Sequence, residues 1–171
     1  MADPYDSANA TGNTPADYVN VVNGDIEGYS WSAATRRPNS EGYIPIGNTS
    51  GNTGLTITFT IYAEKDGEVG IYLQFGYRNH ETALSFNDIF SMTVNGVDVP
   101  STVTMPTSTS NWAATNTYDF IAYANVKAGA NTIVITVTDT GAYSGSATNG
   151  YNIYALRLSA ADNKFTTVSP A

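Results

Sequence analysis

Apolar residues recur at every second position through most of this chain, and that period commits it to β-structure. From Leu55 to Tyr62 the apolar residues are Leu55, Ile57, Phe59 and Ile61, while Thr56, Thr58 and Thr60 face the other way. Val69, Ile71, Leu73, Phe75 and Tyr77 then alternate with Glu68, Gly70, Tyr72, Gln74 and Gly76. The turn signal Lys65-Asp66-Gly67 between the two runs predicts that they pair as an antiparallel hairpin. Phe90, Met92 and Val94 lead into Asn95-Gly96, a dipeptide that accepts positive φ at both central positions of a two-residue hairpin. Val97 and Val99 carry the return strand, which Pro100 limits. Tyr118, Phe120, Ala122, Ala124 and Val126 alternate with Thr117, Asp119, Ile121, Tyr123 and Asn125. After the turn Lys127-Ala128-Gly129-Ala130-Asn131, the apolar Ile133, Ile135 and Val137 oppose Thr132, Thr136 and Thr138. A closing strand over about 150–159 sets Tyr154, Leu156 and Leu158 on one face, and Ile153, out of phase, marks a bulge. With weaker strands at 18–23, 28–33 and 42–46 the total is about ten, and no helix of three turns is visible.

Many short antiparallel strands and no helix predict an all-β fold, an antiparallel two-sheet β-sandwich of jelly-roll topology. A closed barrel shares the same period and stays open as an alternative. The 171 residues suit one module over 17–160, with a linker or disordered tail at 1–16 and a C-terminal linker at 161–171. A domain of this size needs no staples, and with no cysteine both disulfides and thiolate metal sites are excluded. Seven Lys and Arg against fifteen Asp and Glu give a formal charge of −8, which excludes a surface that neutralises nucleic acid. No stretch approaches the roughly 20 apolar residues of a membrane-spanning helix, so no membrane insertion is expected.

Catalytic chemistry has little to build on. The one histidine, His80, sits in Tyr77-Arg78-Asn79-His80-Glu81 without a nucleophile context, and reads as a polar loop residue. One imidazole and no thiol leave oxygen ligands alone, which suit calcium and not zinc. Carboxylates exist at Asp25, Glu27, Glu41, Glu64, Asp66, Glu68, Glu81, Asp88 and Asp139, but they form no acid–base motif and read as solvated turn residues. The residues that stand out are aromatics in polar surroundings. Trp112 lies in Ser108-Thr109-Ser110-Asn111-Trp112-Ala113-Ala114-Thr115, where it either plugs one end of the core or presents its ring to solvent. A wet ring beside Asn and Ser suits a sugar, whose C–H face packs on the π-surface while its hydroxyls bond the amides. Tyr43, in a loop-flanked weak strand, has the same two readings, and Trp31, alternating with Tyr29 and Ala33, fits burial on a sheet face better. Arg36 and Arg37 read as solvated loop residues.

Taken in order, several segments resemble landmarks of the carbohydrate-binding modules of families 6 and 35. Asp66 to Asn79, DGEVGIYLQFGYRN, is similar to the strand that carries the families' R-Y-a-N pattern, and Phe90 to Asp98 is similar to their strand and "vNG" hairpin. Trp112 falls where these modules place a Trp before the next strand. Val126 to Ile133, VKAGANTI, resembles their "aG-x-N-t-I", and Gly150-Tyr151-Asn152-Ile153-Tyr154 their closing "g-x-N-I-D". The likeness spans about 17–160.

What the resemblance implies is a non-catalytic sandwich that binds polysaccharide or oligosaccharide in loops at one end, and so targets an attached enzyme or a cell surface to glycan. Carried over by motif, Tyr43 (or Trp31) and Trp112 would stack on sugar, Asn152 would hydrogen-bond hydroxyls, and Tyr151, Asn149 and Asn79 would line the rim. These modules hold a structural calcium with acidic residues of the first strand and the closing Asp. Here Tyr18-Val19-Asn20-Val21-Val22-Asn23 lacks those acids and Tyr154 replaces the Asp, so no metal or other cofactor is expected unless Asp25 or Glu27 substitutes. The same divergence leaves room for a site on a sheet face, where Tyr62 and Tyr72 point away from the apolar side. The expectation is thus a secreted or cell-surface binding module, no enzyme, monomeric and part of a larger multidomain protein. A structural or adhesin domain that binds protein is the alternative.

Overall fold

The computed structural model describes residues 18–22, 26–30, 44–45, 54, 56–78, 84–105, 113–114, 119–138, 150–166 and 169. In chain order its strands are β1 (Tyr18–Val22), β2 (Ile26–Ser30), β3 (Ile44–Pro45), β4 (Thr56–Ala63) and β5 (Gly67–Arg78). A single helical turn, α1 (Phe86–Ile89), precedes β6 (Phe90–Val94), β7 (Val97–Asp98), β8 (Ala113–Ala114) and β9 (Asp119–Val126). The chain continues with β10 (Gly129–Val137), β11 (Gly150–Ser159) and β12 (Phe165–Thr166). They form two six-stranded sheets in which every strand pairing is antiparallel. The expected two-sheet sandwich is therefore the architecture.

In the first sheet the long strands β5 and β11 lie side by side at the centre. Each outer flank is shared by two short strands: β1 and β3 along β11, β9 and β8 along β5. The second sheet runs β12-β4-β10-β6-β7, with β2 also paired to β4. The alternation read from the sequence is the alternation observed: Ile57, Phe59, Ile61 and Ala63 of β4 are buried, and Thr56, Thr58, Thr60 and Tyr62 between them are half-exposed. Ile133, Ile135 and Val137 join them from β10, and Val69, Ile71, Leu73, Leu156 and Leu158 face them from the first sheet in one core cluster. Asn95 (φ 52°) and Gly96 (φ 78°) form the expected hairpin turn between β6 and β7. The bulge expected near Ile153 is present, the ladder to β5 passing from Ile153 to Ala155.

Four local expectations are corrected. The runs on either side of Lys65-Asp66-Gly67 are not a hairpin: β4 belongs to the second sheet and β5 to the first, and the turn carries the chain across the core between them. Alternation reports which face of a strand is buried and not which sheet owns it, and both strands point their apolar faces into the same core. In β9 the phase changes once. Ile71 pairs with Ala122 but Tyr72 with Phe120, so Ile121 is an extra residue; it turns inward with Ala122, and Phe120 moves to the outer face beside Tyr72. The return strand stops at Asp98, with Val97 exposed and Val99 buried beyond it. Finally, Phe165–Thr166 pair with Ala63 and Tyr62 and are buried, so the folded unit runs past the expected boundary at 160. The expected tail at 1–16 lies outside the described residues.

Candidate functional site

The two ends of the sandwich differ in what their connections do. At one end short turns cross between the sheets, and amide and carboxylate side chains are consumed in holding them. The Asn131 side chain, 1% exposed, accepts the backbone N–H of Lys127 at 2.8 Å and the Asn95 amide at 2.7 Å. Its own amide donates to the carbonyls of Lys127 (2.7 Å) and Gly129 (2.9 Å). The Asn of the "aG-x-N-t-I" segment is thus a structural pin between the β9–β10 crossover and the Asn95-Gly96 turn. Asn163 does the same for the β4–β5 crossover, accepting Lys65 N–H at 3.2 Å and donating to Lys65 C=O at 2.7 Å. Asp66 joins the two crossovers by accepting Ala128 N–H at 2.8 Å and the Lys127 ammonium at 3.0 Å. Those two partners, the backbone donor first, hold its carboxyl below the ordinary Asp value.

The opposite end is where β5 finishes, β11 begins and β8 and β3 attach. Two rows cross the first sheet there: Pro45, Asn152, Gly76 and Ala114 lie opposite one another, and so do Tyr151, Tyr77 and Ala113. The row from Pro45 to Ala114 spans three inter-strand gaps, about 14 Å. In the second sheet β2 ends at this level, Ser30 pairing with Thr56, and β10 ends at Val137 opposite Phe90. The strands that bound segments 31–43, 46–53, 79–83, 106–112 and 139–149 therefore stop or start at this one end. Below the rows the core is closed by buried Phe86 and Ile89 of α1, with Met105, whose N–H bonds the Leu84 carbonyl at 2.7 Å. The Asp88 carboxylate fixes α1 by accepting the Ser85 N–H at 2.7 Å.

Of the expected sugar-binding residues, Asn152 and Tyr151 lie on these rows by their backbone. Trp112, Tyr43, Trp31 and Asn79 lie outside the described residues, as do His80 and Asn149. Their chain neighbours Ala113, Ile44, Ser30 and Arg78 are described, and all four sit at this end. Among the described residues no three of His, Asp and Glu are grouped so as to hold a metal ion. Asp66 and Asp88, weighed as catalytic carboxylates, are both engaged with backbone N–H groups.

Sequence reasoning missed Asp119. This first residue of β9 has a carboxylate oxygen buried without a hydrogen-bond partner among the described residues, and burial pushes its carboxyl above the ordinary Asp value. With the folded pKa raised, the native state is favoured below the ordinary Asp pKa and loses that advantage as pH rises through the raised value. Asp119→Asn is therefore expected to raise the melting temperature at pH 7 and to leave it nearly unchanged near pH 3. Thermal melts of both proteins at the two pH values check this, and an equal difference at both would contradict it.

No family profile matches the chain, and no curated protein matches its sequence. Solved structures do. The family 35 carbohydrate-binding module from Cellvibrio japonicus Abf62 superposes with a TM-score of 0.53 at 16% identity, covering 85% of this chain and 95% of that one. The fold is that of family 35 carbohydrate-binding modules. A second family 35 module, from Clostridium thermocellum, gives a TM-score of 0.51 at 21% identity, over 84% of this chain and 98% of that one. In the Podospora anserina GH26-CBM35 β-(1,4)-mannanase the match has a TM-score of 0.50 at 19% identity and covers 84% of this chain and 27% of the longer enzyme. Of the two families suggested by the sequence, family 35 is the one these neighbours represent.

Proposed function

We propose that this chain is a non-catalytic module that binds neutral polysaccharide at the end of the sandwich where β3, β11, β5 and β8 meet. The observation that carries the reading is the register there. It sets Asn152 two strands from Ala114 and directly opposite Pro45. Covalent geometry keeps the Cα of Trp112 about 3.8 Å from Ala113 and that of Tyr43 about 3.8 Å from Ile44. Filling of the core at this end by Phe86, Ile89 and Met105 supports the reading of Trp112 as a ring offered to solvent over that of a plug. The family 35 fold of the neighbours, named as carbohydrate-binding modules, supports the same reading.

On this account Trp112 and Tyr43, with Trp31 as the substitute, stack on pyranose faces. Asn152 bonds hydroxyls, and Tyr151 and Asn79 form the rim. The formal charge of −8 disfavours strongly anionic glycans. The chain acts outside the cell, joined to a glycan-active enzyme as the mannanase module is. No calcium is assigned to it, because β1 has no carboxylate and Tyr154 supplies none in the closing segment. Stacking and solvent-competing hydrogen bonds give dissociation constants of about micromolar to millimolar. Calorimetric titration with a panel of soluble polysaccharides tests the reading. Trp112→Ala is expected to weaken binding by about tenfold or more while circular dichroism stays unchanged. Equal binding by the variant would remove Trp112 from the site.

A further inference from the structure

A groove of about 380 Å³ runs along the side of the sandwich, between β9, the outer strand of the first sheet there, and the β6–β7 hairpin that ends the second. The two exposed large apolar residues among those described, Tyr123 (64%) and Val97 (68%), both line it. The Tyr123 ring is positioned in advance. It packs on Phe120 at 4.9 Å between centroids, and Phe120 in turn meets Tyr72 edge-on at 5.4 Å. Gly70, opposite Tyr123 in the ladder, lets these rings lie on the sheet: a Cβ there would come within 3.1 Å of the Tyr72 ring and 3.7 Å of the Tyr123 ring.

The polar groups of the groove divide into two sets. Asn95 is bonded through both amide atoms to Asn131 and Thr132, and the Lys127 ammonium is held by Asp66 at 3.0 Å. Asn125 and Asp98, both exposed on the groove wall, carry no such commitment among the described residues. An exposed aromatic ring, an amide and a carboxylate lining one recess of this size have the make-up of a small-ligand site. The carboxylate, on a chain of formal charge −8, rejects acidic sugars and accepts hydrogen bonds from neutral hydroxyls.

We infer that this side groove is a second saccharide subsite, in which Tyr123 stacks on a neutral pyranoside and Asn125 and Asp98 bond its hydroxyls. The inference rests on the carbohydrate-binding reading above but uses a different surface. Tyr123 pairs with Gly70, and the row through Tyr151, Tyr77 and Ala113 lies seven residues farther along β5, about 23 Å away. Occupancy of the two places is therefore separately visible.

The test is a ¹⁵N–¹H NMR titration of the full chain with cellohexaose, mannohexaose and xylohexaose in turn. The expected result is one set of saturating amide shifts at Val97, Asp98 and Tyr123–Asn125, with a second set, of different midpoint, at Gly150–Asn152. Tyr123→Ala weakens the groove set by about tenfold or more and leaves the second set in place, whereas Tyr123→Phe keeps both. Because Tyr123 is exposed, the alanine variant keeps the wild-type melting temperature. Shifts at the loop end alone overturn the groove and leave the loop-end reading standing. Shifts at the groove alone, removed by Tyr123→Ala, support the groove and overturn the loop-end site, and shifts at neither place overturn both. Groove shifts that persist in Tyr123→Ala also overturn this assignment.

Discussion

Replacing Phe59 with alanine is expected to lower the unfolding free energy by about 3–5 kcal/mol, as read from urea denaturation followed by circular dichroism. Phe59 is 0% exposed, sits in the middle of β4 and pairs with Ile133 of β10. It is among the largest fully buried side chains of the cluster shared by both sheets. Truncation removes a ring that the sandwich cannot replace by collapse, because β4 is held in register by β10 on one side and by β2 and β12 on the other. Domains of this kind are stable by about 5–15 kcal/mol, so the loss is a large part of the total. A change below about 1 kcal/mol would mean that the two sheets do not close on Phe59.

Asn131→Ala is expected to cost about 3 kcal/mol in the same assay, more than its small volume suggests. The amide makes four hydrogen bonds from a buried position. Without it the Lys127 N–H and the Lys127 and Gly129 carbonyls lose their partner, and Asn95 loses the bond that ties its turn to the crossover. Asn131→Asp is the informative companion. It keeps the acceptors, cannot donate to the two carbonyls and adds a buried charge, so it is expected to be at least as destabilising. If both substitutions are neutral, the crossover is held by its strands alone.

Much of this fold was legible in the chain because a period of two states directly which residue turns inward. Ile57, Phe59, Ile61, Ile133, Ile135 and Val137 are buried as their spacing requires. The Asn95-Gly96 turn and the irregularity at Ile153 were legible for the same local reason. What alternation cannot carry is sheet membership, since Lys65-Asp66-Gly67 would serve equally as a hairpin turn or a crossover; long-range pairing of β4 with β10 and of β5 with β11 decides it. Nor could it foresee Ile121, because an inserted residue shifts phase only where the partner strand fixes the register. At the candidate site the Gly150–Tyr154 segment was legible as a motif, and its position beside β3, β5 and β8 required the topology. Asn131 shows the opposite case: a motif residue that could have been assigned to ligand is consumed in holding the scaffold. Tyr123 could be read as outward-facing from its neighbours Ala122 and Ala124, but the groove beside it arises from a hairpin of the other sheet.

The most direct test of the account is a crystal structure of the chain with the oligosaccharide that binds it best in the calorimetric panel. The account predicts a pyranose seated at the end formed by β3, β11, β5 and β8, with Trp112 against its face and Asn152 bonded to its hydroxyls. A sugar bound only elsewhere on the molecule, or no binding by any glycan of the panel, would contradict it.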